Sequence, residues 1–288
     1  MREMETIEIR GIPLAKQVKA DVSREVNILV GKGIQPRMAV VMATSDPSAL
    51  SYVKSKQKMA TSLGIELDVI GLDTKVTQTE LESVLADLSN SPSVHGILLE
   101  SPLPTGLNES YALSQIIPIK DVDGLTPANL GLVTAGREAE AILAATPQAC
   151  IELVETQVSL LGRKVGLVGC GRTVGRPLTQ MLLNRYATLT VCHSFTKDIP
   201  EALANCEVII VAVGKPFLIN SQHIKPGQIV IDAGINIVDN LTVGDVDAKS
   251  VRGIVAALTP VPGGVGPLTS AIVFRNLIKA IHLQYDKR

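Results

Sequence analysis

The sequence predicts an α/β fold in two domains, each a parallel sheet covered by helices, with a C-terminal helix that packs back on the first. Three observations carry this expectation. Short aliphatic runs alternate with segments of helical period in two successive series, a glycine-rich turn opens the second series, and the core must be almost wholly aliphatic. Of 288 residues 46% are hydrophobic, yet Trp is absent and Phe and Tyr number only 3 and 4. Unbroken runs of Val, Ile and Leu suit parallel strands buried on both faces.

The first series begins with a helix over Leu14–Leu29, where Leu14, Val18, Val22, Val26 and Leu29 repeat at four- and three-residue steps. A strand over Met38–Ala43, a helix over Ala49–Leu63, a strand over Leu67–Leu72 and a helix over Gln78–Leu88 follow, then a strand over Val94–Leu99 that stops against SPLPTGL. Between Ile119 and Thr146 neither period persists, so this stretch reads as loop and domain linker. The second series has a helix near Pro147–Leu160 and strands at Lys164–Gly169, Leu189–Cys192, Val208–Val213 and Ile229–Asp232. Helices near Thr179–Asn184 and Pro200–Ala204 lie among those strands, and a long helix over Leu268–Leu283 follows the rigid TPVPGGVGP turn. The expected domains are 1–145, joined by the final helix 268–288, and a doubly wound 146–267.

The bulk numbers exclude several classes. With 27 basic and 28 acidic side chains no broad field exists to hold nucleic acid or an anionic membrane. No apolar run is long enough to span a bilayer and MREMETIEIR has no secretory core, so the expected compartment is cytoplasmic. The four cysteines, Cys150, Cys170, Cys192 and Cys206, form no CxxC pair and the histidines are dispersed, so no metal is expected.

The turn Gly169-Cys170-Gly171-Arg172-Thr173-Val174-Gly175 follows the strand KVGLVG and precedes an apolar helix. Glycines at a strand-to-helix turn let backbone amides approach a pyrophosphate, whose charge the helix dipole favours. The next strand ends in TVCHSFTK, without the acid that accepts from an NAD ribose. His193, Ser194 and Lys197, with Arg172, suit an added phosphate instead, which favours NADP.

Tyr52 and Lys56, at i and i+4, project from one helical face. An aromatic ring beside an ammonium can stack a conjugated ligand next to a mobile proton, although such a pair also arises on a plain solvated face. Glu100 ends the following strand, where ligands of parallel sheets bind. Asp121 and Asp123 in KDVDG can form a turn; Asp123 is also placed to accept from the N–H donors of a ring edge such as a pterin's. Pro262 and Gly263 form a side-chain-poor wall or a chain break before the last helix.

These segments together resemble the methylenetetrahydrofolate dehydrogenase/cyclohydrolase family over almost the whole chain. The resemblance rests on SYVKSKQKMATSLGI, GILLESPLP, KDVDGLTPANLG, GRTVGRP, CHSFT, VAVGKP, IDAGIN and TPVPGGVGPLT, in that order. It implies an N-terminal α/β catalytic domain, a Rossmann-like NADP-binding domain, a folate cleft between them and a homodimer. It also implies two reactions. Hydride leaves 5,10-methylenetetrahydrofolate for NADP, and water then opens the methenyl product to 10-formyltetrahydrofolate. By resemblance, Tyr52 stacks on the folate, Lys56 is the central catalytic lysine and Asp123 anchors the pterin. Gly169, Cys170, Gly171, Ser194, Ile235 and Thr146 match cofactor positions, and Pro262 and Gly263 match the folate wall.

Two departures stand out. Relatives generally carry Gln in VQLPLP where this chain has Glu100 followed by Ser101, and an ionised carboxylate beside Lys56 would hold its ammonium and weaken hydrolysis more than hydride transfer. Many relatives carry Arg-Ser or Ala-Ser where this chain has Cys170-Gly171, which removes a phosphate donor that Arg172 is expected to replace. A shikimate-dehydrogenase-like oxidoreductase and a catalytically impaired NADP-binding regulator are the alternatives.

Overall fold

The computed structural model describes residues 5–44 and 47–285 and divides into two units. One unit comprises residues 17–145 with the chain from Ser270 onward; the other comprises the chain up to Lys16 and Thr146–Thr269. The divisions fall inside the helices Gly11–Gly31 and Val265–Tyr285.

The unit of residues 17–145 is built on three parallel strands in the spatial order Glu66–Gly71, Arg37–Met42, Gly96–Leu99. The central strand is sealed, with Met38, Ala39, Val40 and Val41 fully buried, as its unbroken apolar run requires. Helix Gln78–Asn90 begins on a reciprocal cap, in which Thr77 accepts from the Glu80 amide and Glu80 accepts from the Thr77 amide. Leu81 and Leu85 of that helix enter a core with Val41, Ile97, Leu99 and Leu113. From Ser270 on, the last helix adds polar ties to this unit. Asn276 Nδ2 donates to Val122 O and Leu143 O, Lys279 Nζ to Ala141 O and Gln284 Nε2 to His95 O.

The stretch expected to be loop and linker is part of this unit instead. It holds a 3-10 turn at Pro118–Lys120 and helix Pro127–Thr134, whose N-cap Thr126 is followed by Pro at the first position. Buried Asn129 fixes that helix, donating to Pro118 O and Asp121 Oδ2 and accepting from the Ile142 amide. Helical period was no guide because polar ties rather than an apolar stripe hold eight residues.

The other unit carries a six-stranded parallel sheet in the order Ile7–Glu8, Ala257–Leu258, Ile229–Asp232, Val208–Val211, Lys164–Val168, Thr188–Cys192. Strand Lys164–Val168 leads to Thr188–Cys192 on one side and Val208–Val211 on the other, so the order reverses beside it, as in doubly wound folds. The first two strands in that order, Ile7–Glu8 and Ala257–Leu258, are two residues each and leave no periodic trace in the sequence. A hairpin of Asn236–Val238 and Leu241–Val243 also went unforeseen; Asp239 and Asn240 take the positive φ that such a tight turn needs. Residues near the start, expected with the first domain, group here through the pairing of Ile7 with Ala257.

Candidate active site and dinucleotide site

In the three-stranded unit, helix Pro47–Ser62 presents Tyr52 and Lys56 one turn apart. Strand Gly96–Leu99 continues its ladder through the Glu100 amide, which donates to Val41 O at 2.8 Å, so Glu100 stands at the carboxyl end of the sheet. Lys56 Nζ donates to Glu100 Oε2 at 2.7 Å, with side chains only 14% and 11% exposed. Such a charge-assisted bond is largely shielded from water and ties the Lys56 side chain to the carboxylate. The Tyr52 ring is 42% exposed, and burial of its remainder, with Glu100 nearby, pushes its phenol above the ordinary value.

Asp123 joins this cluster electrostatically. Burial raises its carboxyl from 3.8 to about 7; Asp121, Glu100 and Glu109 push the same way and Lys56 opposes them. Its loop is braced by its neighbours. Asp121, 1% exposed, accepts from the Gly124 and Thr126 amides and from Asn129, the turn role open to it from sequence. Gly124 has φ +72°, and a Cβ there would lie 2.3 Å from the Leu143 carbonyl carbon. Asn276, bonding Val122 O and Leu143 O at 2.9 Å each, ties both strands of this crossing to the last helix. A single Asn in the apolar run VFRNLIKAI was the signal for it.

In the six-stranded unit the glycines divide the work of the turn. Gly169, at φ +114°, admits no side chain because a Cβ would stand 2.1 Å from Ala212 O. Gly175 lets helix Gly175–Leu183 start against the turn, since its Cβ would meet Gly169 O at 2.2 Å. Gly171 faces open space, with nothing within 4 Å of a Cβ there, which suits close approach of a pyrophosphate. A cavity of about 450 Å³ opens over this loop, and Gly169, Cys170, Gly171, His193, Ser194 and Lys215 are among the residues lining it. The residues present therefore fit a dinucleotide.

Five of the expected cofactor residues, Gly169, Cys170, Gly171, His193 and Ser194, come together on that cavity, whereas Arg172, Lys197, Thr146 and Ile235 do not line it. Thr146 sits in the first turn of helix Ala145–Glu155, and Ile235, 47% exposed, precedes the hairpin. Pro262 and Gly263 lie in this unit rather than with Tyr52; Gly263 has φ +111° and its carbonyl accepts from the Gly11 amide. Lys215 and Thr196 were missed, although VAVGKP marks the end of the third strand of the series. Among the described residues no group of three His, Cys, Asp or Glu is arranged for a metal, and no helix is long and apolar enough to cross a membrane.

A glycine turn at the strand-order reversal of a parallel sheet is the mark of dinucleotide-dependent α/β enzymes. Within that class the chain belongs to the tetrahydrofolate dehydrogenase/cyclohydrolase family: residues 9–123 match its catalytic domain and residues 144–285 its NAD(P)-binding domain. It is 42% identical over 285 residues to the bifunctional protein FolD of Deinococcus radiodurans, covering 97% of this chain and 94% of that one. The crystal structure of the bifunctional FolD methylenetetrahydrofolate dehydrogenase/cyclohydrolase of Campylobacter jejuni superposes with a TM-score of 0.92 at 38% identity, covering 96% and 98% of the two chains. The Trypanosoma brucei enzyme, solved with NADP and an inhibitor, gives 0.92 at 32% identity and 99% of each chain.

Proposed function

We propose that this chain oxidises 5,10-methylenetetrahydrofolate to the methenyl form with NADP and hydrolyses that product to 10-formyltetrahydrofolate, with Glu100 slowing the second step. The Lys56–Glu100 contact at 2.7 Å carries the reading. Family membership and the near-complete coverage of bifunctional relatives support both activities and leave the shikimate-dehydrogenase and inert-regulator alternatives without support. We place residues 17–145 and the final helix as the folate unit and the six-stranded unit as the NADP unit, in a cytoplasmic homodimer.

Tyr52 gives the folate ring a face to stack on, and Asp123 accepts from pterin N–H donors. Pro262 and Gly263 offer it a wall without bulky side chains. NADP when bound supplies the hydride acceptor; Gly169, Cys170, Gly171 and Ser194 hold it, with Arg172, Thr146 and Ile235 as further contacts. In the hydrolytic step water adds to the methenyl carbon, one of its protons leaves through Lys56, and the carbon–nitrogen bond to N5 opens as the remaining hydroxyl proton passes to N5 and the formyl C=O forms. A lysine whose Nζ is engaged with a carboxylate at 2.7 Å is less available for that proton, whereas hydride transfer depends mainly on alignment. Glu100→Gln, which keeps a hydrogen bond but removes the charge, is expected to raise methenyl hydrolysis about tenfold and dehydrogenation by less than about threefold. Parallel assays of methenyl decay and NADPH formation test this; an unchanged or reduced hydrolysis rate rejects the role given to Glu100.

Asp123 makes folate binding depend on pH. Its carboxyl, raised to about 7, is protonated below that pH and ionised above it. Because the folded value lies above the ordinary 3.8, this group lowers stability as pH rises from about 4 to 7, a cost that a ligand donating to the carboxylate offsets. The folate KM is expected to rise as pH falls below 7, by up to about tenfold per unit, while the NADP KM stays level. Asp123→Asn should raise the folate KM at neutral pH and flatten this profile; a profile identical to the parent's removes Asp123 from the site.

A further inference from the structure

We infer that Lys215 is the side chain by which this protein distinguishes NADP from NAD, and that Asp245 is the positioning residue that holds its turn. The inference rests on the proposed use of NADP.

The glycine loop itself brings no charge to the cavity, since Cys170 and Gly171 line it and Arg172 does not. The loop after the second strand of the series brings His193, Ser194 and Thr196, and Lys197 stays off the lining. His193 Nδ1 already accepts from the Phe195 amide. Among the described residues that line the wall, Lys215, from the loop after strand Val208–Val211, is the one ammonium and none is a carboxylate. A wall without an acid lacks the acceptor for a pair of free ribose hydroxyls, and its ammonium attracts a phosphate dianion. The ligand feature that this wall fits is therefore a ribose 2′-phosphate.

The turn that carries Lys215 is anchored from beneath. Asp245 is fully buried, and its Oδ2 accepts from the Val213 amide at 2.7 Å and the Gly214 amide at 2.9 Å. Its Oδ1 accepts from Asn236 Nδ2 at 2.9 Å, and its own amide donates to Asp232 Oδ1 at 3.0 Å. Gly214 at φ +66° then directs the chain into Lys215. Gly234 must lack a side chain, because a Cβ there would stand 2.2 Å from Asp245 Cγ. One carboxylate thus fixes the turn, and with it the place where the ammonium begins.

Binding of NADP, NAD, 2′,5′-ADP and 5′-AMP to the full-length protein tests this. Lys215→Ala is expected to weaken NADP and 2′,5′-ADP by about 10- to 100-fold, the worth of a hydrogen bond to a charged group, with NAD and 5′-AMP changed less than about twofold. Lys215→Arg restores most of the discrimination. Asp245→Asn lowers the NADP-to-NAD affinity ratio, and adding Lys215→Ala to it costs little more, as for two residues acting through one contact. Equal losses for NADP and NAD in Lys215→Ala, or a ratio kept there but lost in Arg172→Ala, overturn the assignment of Lys215. Effects of Lys215 and Asp245 that simply add overturn the positioning role. A parent protein that prefers NAD instead defeats the underlying NADP reading, which separates the two failures.

Discussion

Lys56→Met is expected to cut methenyl hydrolysis by about 10²- to 10⁴-fold, the range that a positioned proton-transfer group supplies. Dehydrogenation should fall much less, because the methylene carbon and the cofactor remain aligned without that proton. A second effect follows from the cluster's charges. Among the described residues, Lys56 is the one group that lowers the Asp123 carboxyl against burial and three acids. Without it the inflection in the folate KM is expected to move above pH 7. Single-turnover measurement of each step, with the folate KM followed across pH, checks both. Equal loss in the two steps would make Lys56 a binding residue rather than a base.

Gly169→Ala is expected to remove NADP binding and destabilise the protein by about 3 kcal/mol or more. Overpacking costs about 1–3 kcal/mol, and this site adds backbone strain of similar size. The added methyl would stand 2.1 Å from Ala212 O, and both partners are main chain with no rotamer to yield. The turn also sits at φ +114°, outside the region side chains favour. Calorimetry with and without NADP reads the two effects together: a melting temperature lower by about 6 °C or more, and loss of the upward shift that the cofactor gives the parent. Gly171→Ala is the contrast, since open space surrounds its Cβ position. Its fold should stand while cofactor affinity falls.

Relatives at about 40% identity are named as bifunctional FolD proteins, but the local chemistry of this chain depends on its own residues. By the family resemblance, Glu100 and the Cys170-Gly171 pair are expected to change the charge at both sites. Each leaves a measurable trace, in the ratio of the two activities and in the choice of cofactor.

The sequence by itself determined the order of the main strands and helices of both series and the class of the enzyme. Unbroken aliphatic runs, and a glycine turn between a strand and an apolar helix, are local constraints written in consecutive residues. The i,i+4 spacing of Tyr52 and Lys56 belongs to the same kind. Only the tertiary structure decided which polar groups meet. Lys56 and Glu100 lie 44 residues apart in sequence, and their bond exists because a helix face meets the carboxyl end of a strand. Asn276 reaches Val122 across 154 residues, and Asp245 reaches Val213 across 32, through hydrogen bonds with no period to betray them. The helix Pro127–Thr134 escaped notice for the same reason, held by polar side chains rather than by a stripe. Burial raises Asp123 to about 7, and that depends on everything packed around it rather than on its neighbours in KDVDG.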